Sequence, residues 1–153
     1  MGSLIGDERA DALVEFALVA PLLFLILFGM LDFGKAFNYW IDETHLAAQG
    51  ARLAVVNNAA PGKCPNGSTP ASLQAYIKCN ADTAELRNNS TVCITFPNGT
   101  QKTGDPVSVS VTTTYHWIPL IGDVLGAGTT PVSGSATMRL EAGPTLSYSS
   151  GCV

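Results

Sequence analysis

The sequence predicts an α+β protein. One long N-terminal helix, membrane-spanning in its first half and amphipathic in its second, packs on a small antiparallel β-sheet. Three observations predict it. Residues 12–31 are apolar except for Glu15, and twenty helical residues rise about 30 Å, the thickness of a hydrocarbon core. Residues 33–55 repeat apolar side chains at spacings of three and four. Between residues 91 and 141 lie three stretches in which apolar and polar side chains alternate, as they do in half-buried strands.

The apolar run comes first. It could be a secretory signal, but the preceding GDERAD carries Asp7, Glu8 and Asp11 against Arg9 alone. A signal peptide has a basic flank, a shorter core and a small-residue cleavage site directly after it. A retained transmembrane helix over residues 11–33 fits better, preceded by the polar residues 1–10. Within it Glu15 stands out. A carboxylate inside a membrane helix costs about 2.5–3.5 kcal/mol on insertion scales, less if it snorkels to the interface. Pro21 removes one helical hydrogen bond and bends the helix, which membrane helices tolerate.

The amphipathic continuation occupies residues 34–58. Phe33, Phe37, Trp40, Thr44, Ala48, Ala51 and Val55 fall on one face, read here as the core face. Asn38, Asp42, His45 and Gln49 fall opposite. Tyr39, Leu46 and Leu53 form a second, narrower strip, which either widens the core face or meets a neighbouring subunit. The stretch NNAAPG (residues 57–62) ends the helix, because Asn accepts the left-handed cap and Pro and Gly interrupt.

Residues 59–153 form the outside domain. A short helix is expected within residues 68–82, with Thr69 as its cap and Pro70 at its first position. Strands are expected at 91–96, 107–117 and 132–141. The apolar loop of residues 118–131 joins the last two. With Tyr115, Trp117 and Ile118 before and in it, this loop is either a partner surface or packed on the helix. Cys64, Cys79, Cys93 and Cys152 all follow the membrane run, and four cysteines on one side of a membrane point to two disulfides in an oxidising compartment. Zinc is the weaker reading, since no CxxC pair exists and His45 and His116 are the only histidines. Three pairings are possible. Cys64–Cys79 with Cys93–Cys152 is favoured, because it closes one short loop and tethers the tail of residues 142–153.

Composition narrows the function classes. Of 153 residues, 46% are hydrophobic and 13% charged, and the net charge is −4. The imbalance lies in residues 1–52, where Arg9, Lys35 and Arg52 face seven acidic side chains. No basic patch is present to neutralise phosphates, so nucleic acid is not an expected partner. No nucleophile with an oriented base can be read from the sequence. Glu85, Asp105, Asp123 and Glu141 are scattered, and GDVLG (residues 122–126) is too short and apolar for a phosphate loop. No enzyme activity, metal or cofactor is expected. The sequons at Asn66, Asn88, Asn89 and Asn98 read as polar turns.

The stretch ADALVEFALVAPLLFLILFGMLDFGKAF (residues 10–37), with HLAAQGARLAVV (residues 45–56), resembles the TadE-like family of pilin-like proteins from tight-adherence (Tad) pilus and secretion systems. SGSATMRLE (residues 133–141) is similar to the end of that family's domain. The resemblance implies a pilin-like fold and a precursor whose leader, residues 1–10, is cut off by a prepilin peptidase between Ala10 and Asp11, making Glu15 the fifth mature residue. Ala10 departs from the usual glycine at that place. The implied role is that of a minor pilin or pseudopilin in the inner membrane, N-terminus cytosolic and domain outside. It would assemble with other pilins through Glu15, Phe16 and Pro21, and with an inner-membrane platform. The alternatives are an uncleaved single-pass scaffold and an envelope receptor, with Tyr39, Leu46, Leu53, Trp117 and Ile118 as the partner surface.

Overall fold

In a computed structural model, residues 4–58, 62–119, 122, 123, 126, 128–143 and 145–153 are described, the first seven of them by their backbone alone. Helix α1 (Leu4–Val55) is 52 residues long and contains Pro21. It begins earlier than the expected Asp11, so the residues read as a leader from Leu4 onward continue the helix. Two short helices follow, α2 (Leu73–Cys79) and α3 (Ala84–Asn89). Strands β1 (Thr91–Thr95), β2 (Pro106–His116), β3 (Thr129–Arg139) and β4 (Gly151–Cys152) form one antiparallel sheet in the order β3-β2-β1-β4.

The chain divides into two compact units. One is α1 up to Lys35 with His116–Thr129, and the other is Ala36–Tyr115 with Thr130–Val153. In the second unit the sheet presents Val92, Ile94, Val107, Val109 and Val111 inward, each fully buried. They alternate with exposed or half-exposed neighbours, as the period of two requires. Each such valine or isoleucine contributes about 1.5–3 kcal/mol relative to an exposed one. Pro131 is tolerated in β3 because that strand is at the sheet edge.

Helix α1 meets this core with a different face from the one expected. Tyr39, Leu46, Ala47, Ala51, Ala54 and Val55 are buried, and the Tyr39 ring stands edge-on to Tyr115 at 5.4 Å. Phe37 and Trp40, expected in the core, are 50% and 48% exposed and lean on each other at 5.6 Å. Phe33 is likewise exposed. Asp42, expected on the solvated face, is buried.

The end of α1 is a Schellman cap. Asn57 takes φ +55°, its amide donates to Ala54 O at 3.1 Å, and the Asn58 amide reaches Leu53 O at 3.0 Å. Ala59, Ala60 and Pro61, part of the expected terminator, lie outside the described residues.

Three of the shorter elements differ from the sequence reading. The N-cap of α2 is Ser72, whose Oγ accepts from the Ala75 amide at 3.1 Å, so neither Thr69 nor Pro70 starts that helix. Helix α3, with Thr83 capping the Leu86 amide at 3.2 Å, has no counterpart in it, and neither does β4. The disulfides join Cys64 to Cys79 and Cys93 to Cys152. Cys93 and Cys152 are directly opposite each other in the β1–β4 pair.

Candidate assembly surface on the long helix

Among the described residues α1 is long and apolar enough to cross a membrane. A buried helix of a water-soluble core would hide those side chains. Here Leu13, Phe16, Leu18, Leu22, Met30 and Leu31 are each more than 60% exposed. Glu15 and Pro21 are exposed on the same stretch. The three residues expected to act in subunit assembly, Glu15, Phe16 and Pro21, therefore lie on an uncovered helix surface. Ala10 and Asp11 lie within the continuous helix, and the side chain of Ala10 is outside the described part.

At the end of the apolar run Asp32 is only 3% exposed. Its Oδ2 accepts a hydrogen bond from the Ile118 amide at 2.8 Å, so the β2–β3 loop is held at this point of the helix. The loop also closes on itself, with the Trp117 amide donating to Gly128 O at 3.2 Å and the Gly122 amide to Ile118 O at 2.9 Å. Leu120, Ile121, Val124, Leu125 and Ala127 of the expected apolar loop lie outside the described residues. Trp117 is half-buried and Ile118 is 40% exposed.

Of the two readings of the narrower strip on α1, burial fits the one in which it widens the core face. Tyr39 and Leu46 are each 2% exposed, and Leu53 is half-buried. These side chains are taken up by the chain's own core, because β2 and α2 cover that side of the helix. The same face carries polar grips on the segment between α2 and α3 and on the first turn of α3. Asp42 Oδ2 accepts from the Asp82 amide at 3.0 Å, and the Tyr39 hydroxyl donates to Glu85. Sequence reading named these residues but missed their bonds, since an aspartate on an amphipathic helix reads as solvated.

Glu43 was also missed. It is fully buried, and among the described residues neither carboxylate oxygen has a hydrogen-bond partner; the Thr113 hydroxyl of β2 is in the same condition. Burial pushes the Glu43 carboxyl up to about 7, its neighbour Asp42 adds in the same sense, and the nearby Thr113 opposes. Asp42 is itself raised, by burial first.

His45 and His116 are both exposed, and the described residues contain no cluster of His, Cys, Asp or Glu suited to a metal ion. The features that the chain offers are surfaces: an uncovered apolar helix carrying one acid, and a loop pinned beside its end.

No curated protein and no solved structure matches the chain. A family model does match the helix, over residues 11–52, and its description is TadE-like protein. The matched segment contains Glu15, Pro21, Asp32 and the Ala47–Arg52 motif, while the disulfide-bonded domain lies beyond it. Over residues 11–52, then, the helix of this chain is similar to the TadE-like family.

Proposed function

We propose that the chain is a minor pilin or pseudopilin of a Tad-type (type IVc-like) pilus, anchored by α1 in the inner membrane and processed by a prepilin peptidase. The TadE-like match and the long apolar helix fit a Tad pilus-associated membrane protein. The observation that carries the finer reading is Glu15, an exposed acid inside an uncovered apolar helix. Cleavage between Ala10 and Asp11 would place a new α-amino group one helical turn, about 6 Å, from Glu15. In a packed assembly the carboxylate of one subunit pairs with the amine of the next. That pairing satisfies a charge otherwise costly in lipid and fixes the register between subunits.

In this reading the N-terminus is cytosolic, and the domain from residue 59 onward is outside, where its disulfides persist. Partners are other pilins along α1, the peptidase, the assembly platform and lipid. The function is assembly, and cell adhesion or secretion follows from the filament.

The test is the N-terminal mass of the membrane-extracted protein with and without the prepilin peptidase. Loss of residues 1–10 only when the peptidase is present is the expected result. An intact Met1 terminus in both samples overturns processing and favours an uncleaved single-pass scaffold.

A further inference from the structure

We propose that the Trp117–Ile118–Pro119 corner of the β2–β3 loop is a second membrane contact, held by Asp32 in the lipid headgroup layer beside the end of the transmembrane segment. The inference rests on the membrane-anchor reading of α1 and extends it to a part of the chain far from α1 in sequence.

Position is set by length. Residues 12–31 account for about 30 Å of helix, the full hydrocarbon thickness, and headgroups add roughly 5–7 Å on each side. Asp32, the next residue, therefore stands at the border between acyl chains and headgroups. A carboxylate at that depth needs a donor, and here it has one from outside the helix, the Ile118 amide at 2.8 Å. That bond reaches across 86 residues of sequence and leaves Asp32 3% exposed. It fixes the loop corner at the depth of Asp32.

The chemistry of the corner suits that layer. Ile118 is 40% exposed, Pro119 is exposed and Trp117 is half-buried. Tryptophan prefers the interface, where its ring is apolar and its N–H can meet water or a headgroup. Between Trp117 and Gly128 the only charged residue is Asp123. The helix is itself apolar and uncovered up to this point, with Met30 and Leu31 just before Asp32 72% and 63% exposed. A loop meant for water would not set Ile and Pro outward beside a membrane helix.

Tryptophan fluorescence tests this, because the chain has only Trp40 and Trp117. The full-length Trp40→Phe protein is reconstituted in phosphatidylethanolamine–phosphatidylglycerol vesicles with or without brominated acyl chains. Carbonate extraction of the same vesicles reports anchoring independently. The expected result is carbonate-resistant protein whose Trp117 emission falls roughly twofold with brominated lipid and resists aqueous iodide. Asp32→Ala should remain carbonate-resistant while losing most of that lipid quenching. Carbonate-resistant protein quenched by iodide and not by brominated lipid overturns the loop proposal alone. Shielding from both quenchers that grows with protein-to-lipid ratio also overturns it, in favour of a second copy covering the corner. Carbonate-extractable protein overturns the anchor reading and the loop proposal together.

Discussion

Gly134 of β3 lies directly against the main chain of Glu43 on α1. A Cβ at Gly134 would come within 2.6 Å of the Glu43 carbonyl oxygen and closer still to the Glu43 carbonyl carbon and the Thr44 amide. The obstacle is backbone, which cannot turn aside. Gly50, within the AAQGAR motif, is also a close approach, but its obstacle is the Ile77 side chain, with Cδ1 at 2.5 Å. Both glycine positions thus mark where the helix is drawn onto the rest of its unit.

The two should respond differently to alanine. Gly134→Ala forces strand and helix apart and should destabilise by about 3 kcal/mol, the upper end for overpacking. Gly50→Ala gains about 1 kcal/mol of helix propensity while Ile77 moves to another rotamer, so its net loss should stay near or below about 1 kcal/mol. Thermal unfolding of the full chain in detergent compares them. Equal losses would show that the contact at Gly134 is as yielding as that at Gly50.

Glu43 should make stability fall as pH rises. Its ordinary value is 4.5 and burial raises it to about 7 in the folded chain. The native state therefore binds the proton more tightly than the unfolded one. Stability is complete below about pH 4.5, declines as pH climbs to about 7, and is level above that. The loss is up to about 3 kcal/mol from Glu43. Asp42, also raised, acts in the same sense. Asp105 is lowered, chiefly by the Thr100 hydroxyl; its contribution is lost only as pH falls below the ordinary carboxylate value, outside this window. Glu43→Gln should abolish most of the slope between pH 5 and 7 and be the more stable protein at pH 8. Denaturant titrations of both proteins at a series of pH values would decide, and parallel slopes would contradict the assignment.

The architecture was legible because its signals are long. A twenty-residue apolar run broken only by Glu15, three alternating stretches and four cysteines beyond the membrane run each point one way. The facing of α1 was not. Its segment beyond the membrane carries two apolar stripes, one through Phe33, Phe37 and Trp40 and one through Tyr39 and Leu46. Hydropathy cannot say which meets the sheet, and the larger aromatics proved to be outside. Asp42 misled and Glu43 was passed over for the converse reason, since acids are read as solvated unless a partner is in view. The Asp42 partner is the Asp82 amide, 40 residues away. Helix α3 did leave a trace, Thr83 before a first turn containing Glu85. Strand β4 spans two residues, too few to alternate, and exists through its pairing with β1. Asp32 near the end of the apolar run was visible in sequence, but its bond to Ile118 depends on tertiary structure.

The disulfides should differ in effect. Cys93–Cys152 spans 59 residues and Cys64–Cys79 spans 15. Loop-closure entropy gives about 4 kcal/mol for the longer and about 3 kcal/mol for the shorter. Beyond entropy, the longer bridge holds β4, where Val92 and Val153 exchange amide bonds of 2.9 and 3.0 Å. Replacing Cys93 and Cys152 by serine should free the C-terminal tail to protease, while the Cys64, Cys79 double variant should keep that tail protected. Peptide mapping after brief digestion separates the two, and a protected tail without Cys93–Cys152 would show that backbone pairing alone suffices.

Asn57 combines two jobs that substitution can separate. Its backbone, at φ +55°, closes the Schellman cap. Its side chain holds the tail: Nδ2 donates to Thr145 O at 3.0 Å, and Oδ1 accepts from the Ser147 amide at 2.6 Å and its hydroxyl at 2.9 Å. The tail in turn satisfies carbonyls at the end of α1, for the Tyr148 hydroxyl donates to Ala54 O at 2.8 Å. Asn57→Gly keeps the left-handed conformation and deletes only the side-chain bonds, so it should lose about 1 kcal/mol. Asn57→Ala loses those bonds and strains the backbone by a further 1–2 kcal/mol or so. Both should raise amide hydrogen exchange at Ser147 and Tyr148, but only alanine should also fray the last turn of α1. If glycine frays that turn equally, the tail contacts and not the backbone conformation hold the helix end, and the cap is a consequence of the tail's docking.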